Sequence, residues 1–116
     1  MINMVMLTGR LVRDPELIET ESGRKVCNMT LAIPRSYKNS EGIYETDFID
    51  FTAWGSMAIN MVEYCKKGDL IGVRGRLETT EYEKDGQKMK DMKVMAEKLS
   101  FLSSRTPNVK REEVER

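Results

Sequence analysis

The amino-acid sequence predicts an all-β domain, a five-stranded, partly open barrel with one helix between the third and fourth strands. Three observations predict it. Apolar residues alternate with polar ones along successive short runs, the period of a half-buried strand. One stretch, from Ser56 to about Lys67, instead carries its apolar residues at helical spacing. Asp85-Gly86 then separates the last two strand-like runs as a two-residue hairpin turn.

The first strand reads as Val5 to Val12, with Val5, Leu7 and Leu11 on the inner face and Met4, Met6, Thr8 and Arg10 outward. Asp14-Pro15-Glu16 breaks it, because proline cannot donate to a ladder. After the turn signal Glu21-Ser22-Gly23-Arg24, a second strand runs from Val26 to Ile33, with Cys27, Met29, Leu31 and Ile33 inward. Pro34 is expected to end it, leaving Arg35 to Gly42 as a polar loop that carries Tyr37. The third strand covers roughly Tyr44 to Trp54. Ser56 is placed to cap the helix, whose buried stripe is Ala58, Met61, Val62 and Cys65. Lys66 and Lys67 suit its negative end and Gly68 its left-handed cap. The fourth strand spans Leu70 to about Tyr82, with Ile71, Val73, Gly75 and Leu77 on one face and Arg74, Arg76, Glu78, Thr80 and Tyr82 on the other. A fifth, from about Lys88 to Ala96, leads to an apolar finish at Leu99, Phe101 and Leu102. Five strands with the helix in this position follow the order of an OB-fold, a small barrel used for oligonucleotides. Residues 1–103 form that domain. Residues 104–116, poor in apolar groups and without a period, read as a short mobile tail.

With 116 residues, 33% charged and 40% hydrophobic, the chain has the composition of one globular domain. No apolar run is long enough for a signal-peptide core or a membrane span, so the expected location is the cytoplasm, in association with the nucleoid. Cys27 and Cys65 read as reduced core thiols. With no histidine and two distant cysteines there is no zinc ligand set and no metal site, and the usual base of nucleophilic catalysis is missing. Asp47 and Asp50 differ in parity and cannot act as a carboxylate pair. No glycine loop for phosphate and no triad is present, so the chain is expected to be neither an enzyme nor a cofactor carrier. Formal net charge is zero, yet residues 84–116 carry nine Lys or Arg against six Asp or Glu. Lys84, Lys88, Lys90, Lys93 and Lys98 fall in the last hairpin region. Any basic groove is therefore built by folding.

The most informative stretch is Asp47-Phe48-Ile49-Asp50-Phe51-Thr52-Ala53-Trp54. Ile49, Phe51 and Ala53 share the core face. Phe48, Asp50, Thr52 and Trp54 share the other, where large aromatics have no folding role and offer a surface on which bases stack.

Over about residues 2–102 the chain resembles the bacterial single-stranded DNA-binding protein family. The likeness is carried by Leu7-Thr8-Gly9-Arg10-Leu11, Arg13-Asp14-Pro15-Glu16, Asn28-Met29-Thr30-Leu31-Ala32, Asp47-Phe48-Ile49 and Ala53-Trp54-Gly55. It continues through Tyr64-Cys65-Lys66-Lys67-Gly68-Asp69 into Val73-Arg74-Gly75-Arg76-Leu77. The resemblance implies sequence-independent binding and protection of single-stranded DNA in replication, recombination and repair. It implies base stacking on four aromatic positions, held here by Tyr37, Phe48, Trp54 and Tyr82. Arg10, Arg74 and Arg76, with Lys88 and Lys90 of the hairpin, are the natural phosphate contacts. It also implies a homotetramer joined through the first strand. Exposed Met4 and Met6 are compatible with such a contact and equally with a methionine-rich core edge. Family members continue into a linker with an acidic, partner-docking tip. The chain ends instead at Lys110-Arg111-Glu112-Glu113-Val114-Glu115-Arg116, which puts docking of replication and repair proteins in doubt. Two alternatives share these features: a primosome-type or RNA-binding OB-fold, and a structural module whose aromatics form protein interfaces.

Overall fold

Alternation in the sequence becomes a closed ring of strands in the computed structural model, which describes residues 1–103. The elements are β1 (Val5–Leu11), β2 (Ile18–Glu19), β3 (Lys25–Lys38), β4 (Tyr44–Trp54), α1 (Ser56–Tyr64), β5 (Leu70–Lys84) and β6 (Gln87–Ser103). β1 pairs antiparallel with β5, β5 with β6, and β4 with β3. A parallel seam joins β4 to β6 at Phe51↔Val94 and Thr52↔Met95. β3 returns to β1 at Arg10↔Ala32 and Leu11↔Leu31, which completes the barrel. Five strands thus close the OB-fold, through two narrow seams, and β2 is a short extra strand on the edge of β3.

The inward residues of each strand meet inside the ring. Leu11, Cys27, Met29, Leu31, Phe51, Ile71 and Val73 are all buried. α1 closes one end, burying Ala58 and Met61, and the Met61 thioether lies 4.0 Å from the Cys27 thiol. Full burial of a side chain such as Phe51 stabilises the fold by about 1.5–3 kcal/mol. Both cysteines are free and buried, and burial pushes the Cys65 thiol up to about 11. Among the described residues no helix is long and apolar enough to cross a membrane.

Several boundaries differ from those the sequence predicts. β3 does not stop at Pro34 but runs on to Lys38, so Tyr37 sits on a strand and not in a loop. Beyond Ala32 the far edge of β3 has no partner strand among the described residues, and an edge strand admits proline without losing a ladder bond. The register with β4 then shifts between Pro34 and Lys38. Gly55, not Ser56, is the N-cap of α1, and no side chain caps it. The helix ends at Tyr64 because the chain must turn back to β1. Cys65 is extended but still buried, and Lys66 to Asp69 form a separate turn closed by the Asp69 N–H on the Lys66 carbonyl at 3.1 Å. Gly68 takes the left-handed place in that turn, at φ 92°. Its N–H donates to the Leu11 carbonyl at 2.8 Å, while the Leu11 N–H donates to the Asp69 carbonyl at 3.0 Å. Lys66 and Lys67 therefore lie beyond the helix. The expected tail, residues 104–116, lies outside the described residues.

β5 and β6 are longer than predicted and continue past the barrel as a two-stranded arm to Lys84↔Gln87. Asp85 and Gly86 turn it at φ 52° and 79°, the left-handed pair of a type I′ hairpin. Leu77, expected inward, is 39% exposed because it already lies where the arm leaves the core. Two residues before Leu77, at a register shift in this ladder, the backbones approach closely at Gly75, where a Cβ would stand 2.2 Å from the Met95 carbonyl oxygen. Replacing Gly75 by Ala is expected to destabilise the protein by about 1–3 kcal/mol, since the clash is with backbone that cannot rotate away. Urea unfolding checks this, and a variant as stable as the parent would show that the seam has room.

Candidate nucleic-acid interface

The outer face of β4 carries the aromatics that alternation places there, with a gradient of exposure along the strand. Phe48 is 66% exposed, standing opposite the small Ala32 of β3. Thr52, expected outward, is buried at 7% because β6 joins β4 at this point and Asn28 accepts its hydroxyl proton at 2.8 Å. Trp54 is half-buried, and the Arg24 guanidinium lies 4.1 Å from the centre of its ring. Arg24 was not among the residues singled out in the sequence. Nor was Tyr44, which shares the parity of Phe48 and Trp54, is exposed, and has the Lys38 ammonium 5.6 Å from its ring.

Beside Phe48 the surface becomes polar. The Thr30 hydroxyl donates to Asp50 at 2.6 Å, and the Arg13 guanidinium donates to the Thr30 hydroxyl and the Asn28 carbonyl. Arg13 is a second basic residue the sequence reading missed. These side chains floor a cleft of about 500 Å³ whose other wall is Asp91, Met92 and Lys93 of the arm. The cleft therefore runs between two ribbons, β3–β4 and β5–β6.

On the arm, Tyr82 is 48% exposed and faces Met89 across the ladder. Strand alternation gives the same face to Lys84 and Lys93. Lys88 and Lys90 stand opposite Glu83 and Glu81 on the reverse face, so the structure does not bring them together with Tyr82. The base of the arm is clipped by Asn3, whose side chain donates to the Leu77 carbonyl at 2.8 Å and accepts from its N–H at 2.9 Å. Tyr37, 62% exposed, sits at the irregular end of β3, next to Lys38.

The arginines are distributed unevenly. Arg10 donates to the Gly68 carbonyl at 2.9 Å. Arg74 faces Met6 and Lys98 on the β1–β5–β6 side of the barrel, away from β4. Arg76 is bridged to Glu97 at 3.1 Å and to Glu78, and these bonds raise its pKa. Arg76 is thus largely neutralised by its own neighbours. Among the described residues no cluster of His, Cys, Asp or Glu could hold a metal ion.

An aromatic strand face beside a polar cleft, on the outside of a closed barrel, makes an extended surface for a polymer. The sequence profile of the Single-strand binding protein family matches residues 2–102, and the chain belongs to that family. It is 45% identical over 106 residues to a single-stranded DNA-binding protein of Halalkalibacterium halodurans, covering 90% of this chain and 63% of that one. It is 43% identical to single-stranded DNA-binding protein B of Bacillus subtilis, covering 88% of this chain and 91% of that one. Among solved structures, a deletion mutant of the single-stranded DNA binding protein from Thermus aquaticus matches with a TM-score of 0.74 at 30% identity. That match covers 90% of this chain and 52% of the other. The chain thus spans less than two thirds of the length of some relatives and nearly all of another.

The free end of the β3–β4 ribbon, which presents Tyr37 and Tyr44, is held by Arg35. Its guanidinium bonds Asp47 at 2.9 Å and Glu45 at 2.8 Å. The Arg35 hydrogen bond holds the Asp47 carboxyl below its ordinary value of 3.8. A lowered carboxyl stabilises the fold above its unfolded pKa and loses that contribution as pH falls through the folded value. Acidification from pH 5 to below 3 is therefore expected to loosen this end first. Amide exchange at residues 35–47 checks it, with Asp47→Asn removing the pH dependence.

Proposed function

We propose that this chain binds single-stranded DNA without regard to sequence, and so protects it during replication, recombination and repair. The observation that carries the reading is Phe48, a large aromatic 66% exposed on the outside of a barrel strand in a chain of the single-strand binding family. The relatives above are named for the same ligand. Residues 1–103 act as the binding unit. Bases stack on Trp54 and Phe48, with Tyr37 and Tyr82 extending the path at the ribbon end and on the arm.

Stacking is worth roughly 1–3 kcal/mol per base and tolerates any sequence, because every base has a π-face. Phosphate contacts from Arg10, which shares the Phe48 face through Ala32, and from Lys84 and Lys93 on the Tyr82 face of the arm add a salt-dependent part, about −0.7 in logarithmic slope per contact for a single strand. Arg74, Lys88 and Lys90 point away from this path. With zero net charge and Arg76 paired to Glu97 and Glu78, stacking carries the larger share. Asp50 and Asp91 in the cleft repel phosphate, which turns base faces toward the sheet. A duplex hides those faces and binds poorly.

Self-association through β1, to a homotetramer, completes the proposal. Support comes from Met6, 73% exposed beside a hollow of about 360 Å³ in which Leu7, Val73 and Leu102 are flanked by Arg74 and Lys98. Among the described residues the strand from Val5 to Gly9 also pairs on one side only, with β5.

Trp54 is the chain's single tryptophan, so its fluorescence reports directly on the platform. Saturable quenching by a poly-dT oligonucleotide, and none by a duplex of equal length, is the expected result. Equal responses would mean that charge rather than stacking dominates, and no response to either would remove Trp54 from the path. Phe48→Ala is expected to weaken binding roughly 5- to 150-fold, the equivalent of one lost stack, with the melting temperature unchanged.

A further inference from the structure

Arg24 belongs to the turn between β2 and β3, and its backbone is held firmly. Its N–H donates to the Thr20 hydroxyl at 3.1 Å, and its carbonyl accepts from the Thr20 N–H at 2.9 Å. The side chain leaves this fixed turn toward Trp54. That direction follows from the ladder: Val26 stands opposite Trp54, and Arg24, two residues upstream, is the diagonal neighbour on the same face. The guanidinium accordingly lies over the indole at 4.1 Å from its centre.

What sets Arg24 apart is unpaired donors at the aromatic face; Arg74 is likewise unpaired among the described residues but lies on the side of the barrel away from β4. Arg10, Arg13, Arg35 and Arg76 each donate to a carbonyl, a hydroxyl or a carboxylate. Neighbouring Lys25 is paired with Glu19 at 3.0 Å. The Arg24 guanidinium makes no hydrogen bond or ion pair among the described residues. Its charge has no counter-ion among the described residues, its guanidinium carbon sits over the indole, and the residue as a whole is exposed. A planar fork held in this way is preorganised for the paired oxygens of a phosphate, because little freedom remains to be lost on binding.

We infer that Arg24 is a phosphate-binding residue for the single strand, positioned by Trp54. The indole works on both faces: one holds the guanidinium, the other receives a base, and Arg24 grips the adjoining backbone phosphate. The ligand class is a phosphodiester strand with unpaired bases. This rests on the proposed single-strand binding and adds to it a residue and a direction, with the backbone passing the β2–β3 turn while the bases face β4. An arginine that merely covered the ring would act in the opposite sense, since a base would have to displace it.

The test uses the full chain and a fluorescently labelled dT oligonucleotide of a few tens of bases, so that the readout does not depend on Trp54. Affinity is measured over a range of salt for the parent, Arg24→Ala and Arg24→Lys. Arg24→Ala is expected to bind about tenfold more weakly at low salt, as for loss of one charge-assisted hydrogen bond, with a salt slope shallower by about 0.7. Arg24→Lys is expected to keep the parental slope but not the full affinity, because an ammonium does not lie flat on the ring. If the parent binds and Arg24→Ala binds equally or more tightly with an unchanged slope, the inference is overturned while single-strand binding stands. If the parent itself does not bind, the functional reading fails and the inference with it.

Discussion

The parallel seam between β4 and β6 is the constraint on which the rest of the molecule depends. Parallel strands need a crossover connection, here α1 with β5, and the seam is where that connection brings the chain back against β4. It uses Phe51, Thr52, Val94 and Met95 and nothing before them on β4. Downstream of the seam β4 is part of a closed barrel. Upstream, β4 has β3 alone for a neighbour, and β6 leaves with β5 to form the arm. The chain thus divides into two ribbons that diverge from one joint. The gradient from exposed Phe48 through buried Thr52 to half-buried Trp54 marks the distance of each residue from that joint. The cleft between Asn28–Asp50 and Asp91–Lys93 is the angle between the ribbons.

Much of this was legible in the residues, and the failures share a cause. The inward sets Cys27-Met29-Leu31 and Ile71-Val73, the Asp85-Gly86 turn and the outward placing of Phe48 follow from a period of two plus turn chemistry, both local properties. Pro34, Thr52 and Leu77 were misjudged because their environment is decided by which strand lies alongside, a non-local matter. Pro34 is tolerated because β1 has already moved away from β3, and Thr52 is buried because β6 arrives. The helix end was misplaced for the same reason, since the Leu11 backbone draws residues 66–69 into a turn of their own. At the site, Tyr44 was readable by parity with Phe48. Arg24 was readable only once Val26 was known to face Trp54.

Charge explains how a chain of zero net charge keeps cations available to a polyanion. Across the arm, Glu78, Glu81 and Glu83 face Lys93, Lys90 and Lys88, so each lysine lies beside a carboxylate. Opposite charges directly across a ladder support the pairing. The same arrangement reduces the arm's net attraction for phosphate. Arg35 and Arg76 are likewise committed to carboxylates within the fold. Arg13, Arg24, Lys38 and Lys84 lie outside these arrangements and have no ion pair among the described residues.

The arm has a further consequence. Past Leu77 and Val94 both of its faces meet solvent, and it has no apolar layer of its own. A two-stranded ribbon of this kind is marginal by itself and opens in small local excursions that leave the barrel intact. Its register is set at one end by the Asn3 clip and at the other by the hairpin turn, so bending is concentrated between them. The molecule therefore carries two ribbons, β3–β4 above the seam and the β5–β6 arm, that can flex from one firm joint. Such a calliper can close on a chain of variable thickness and curvature, conforming to it without disturbing the core.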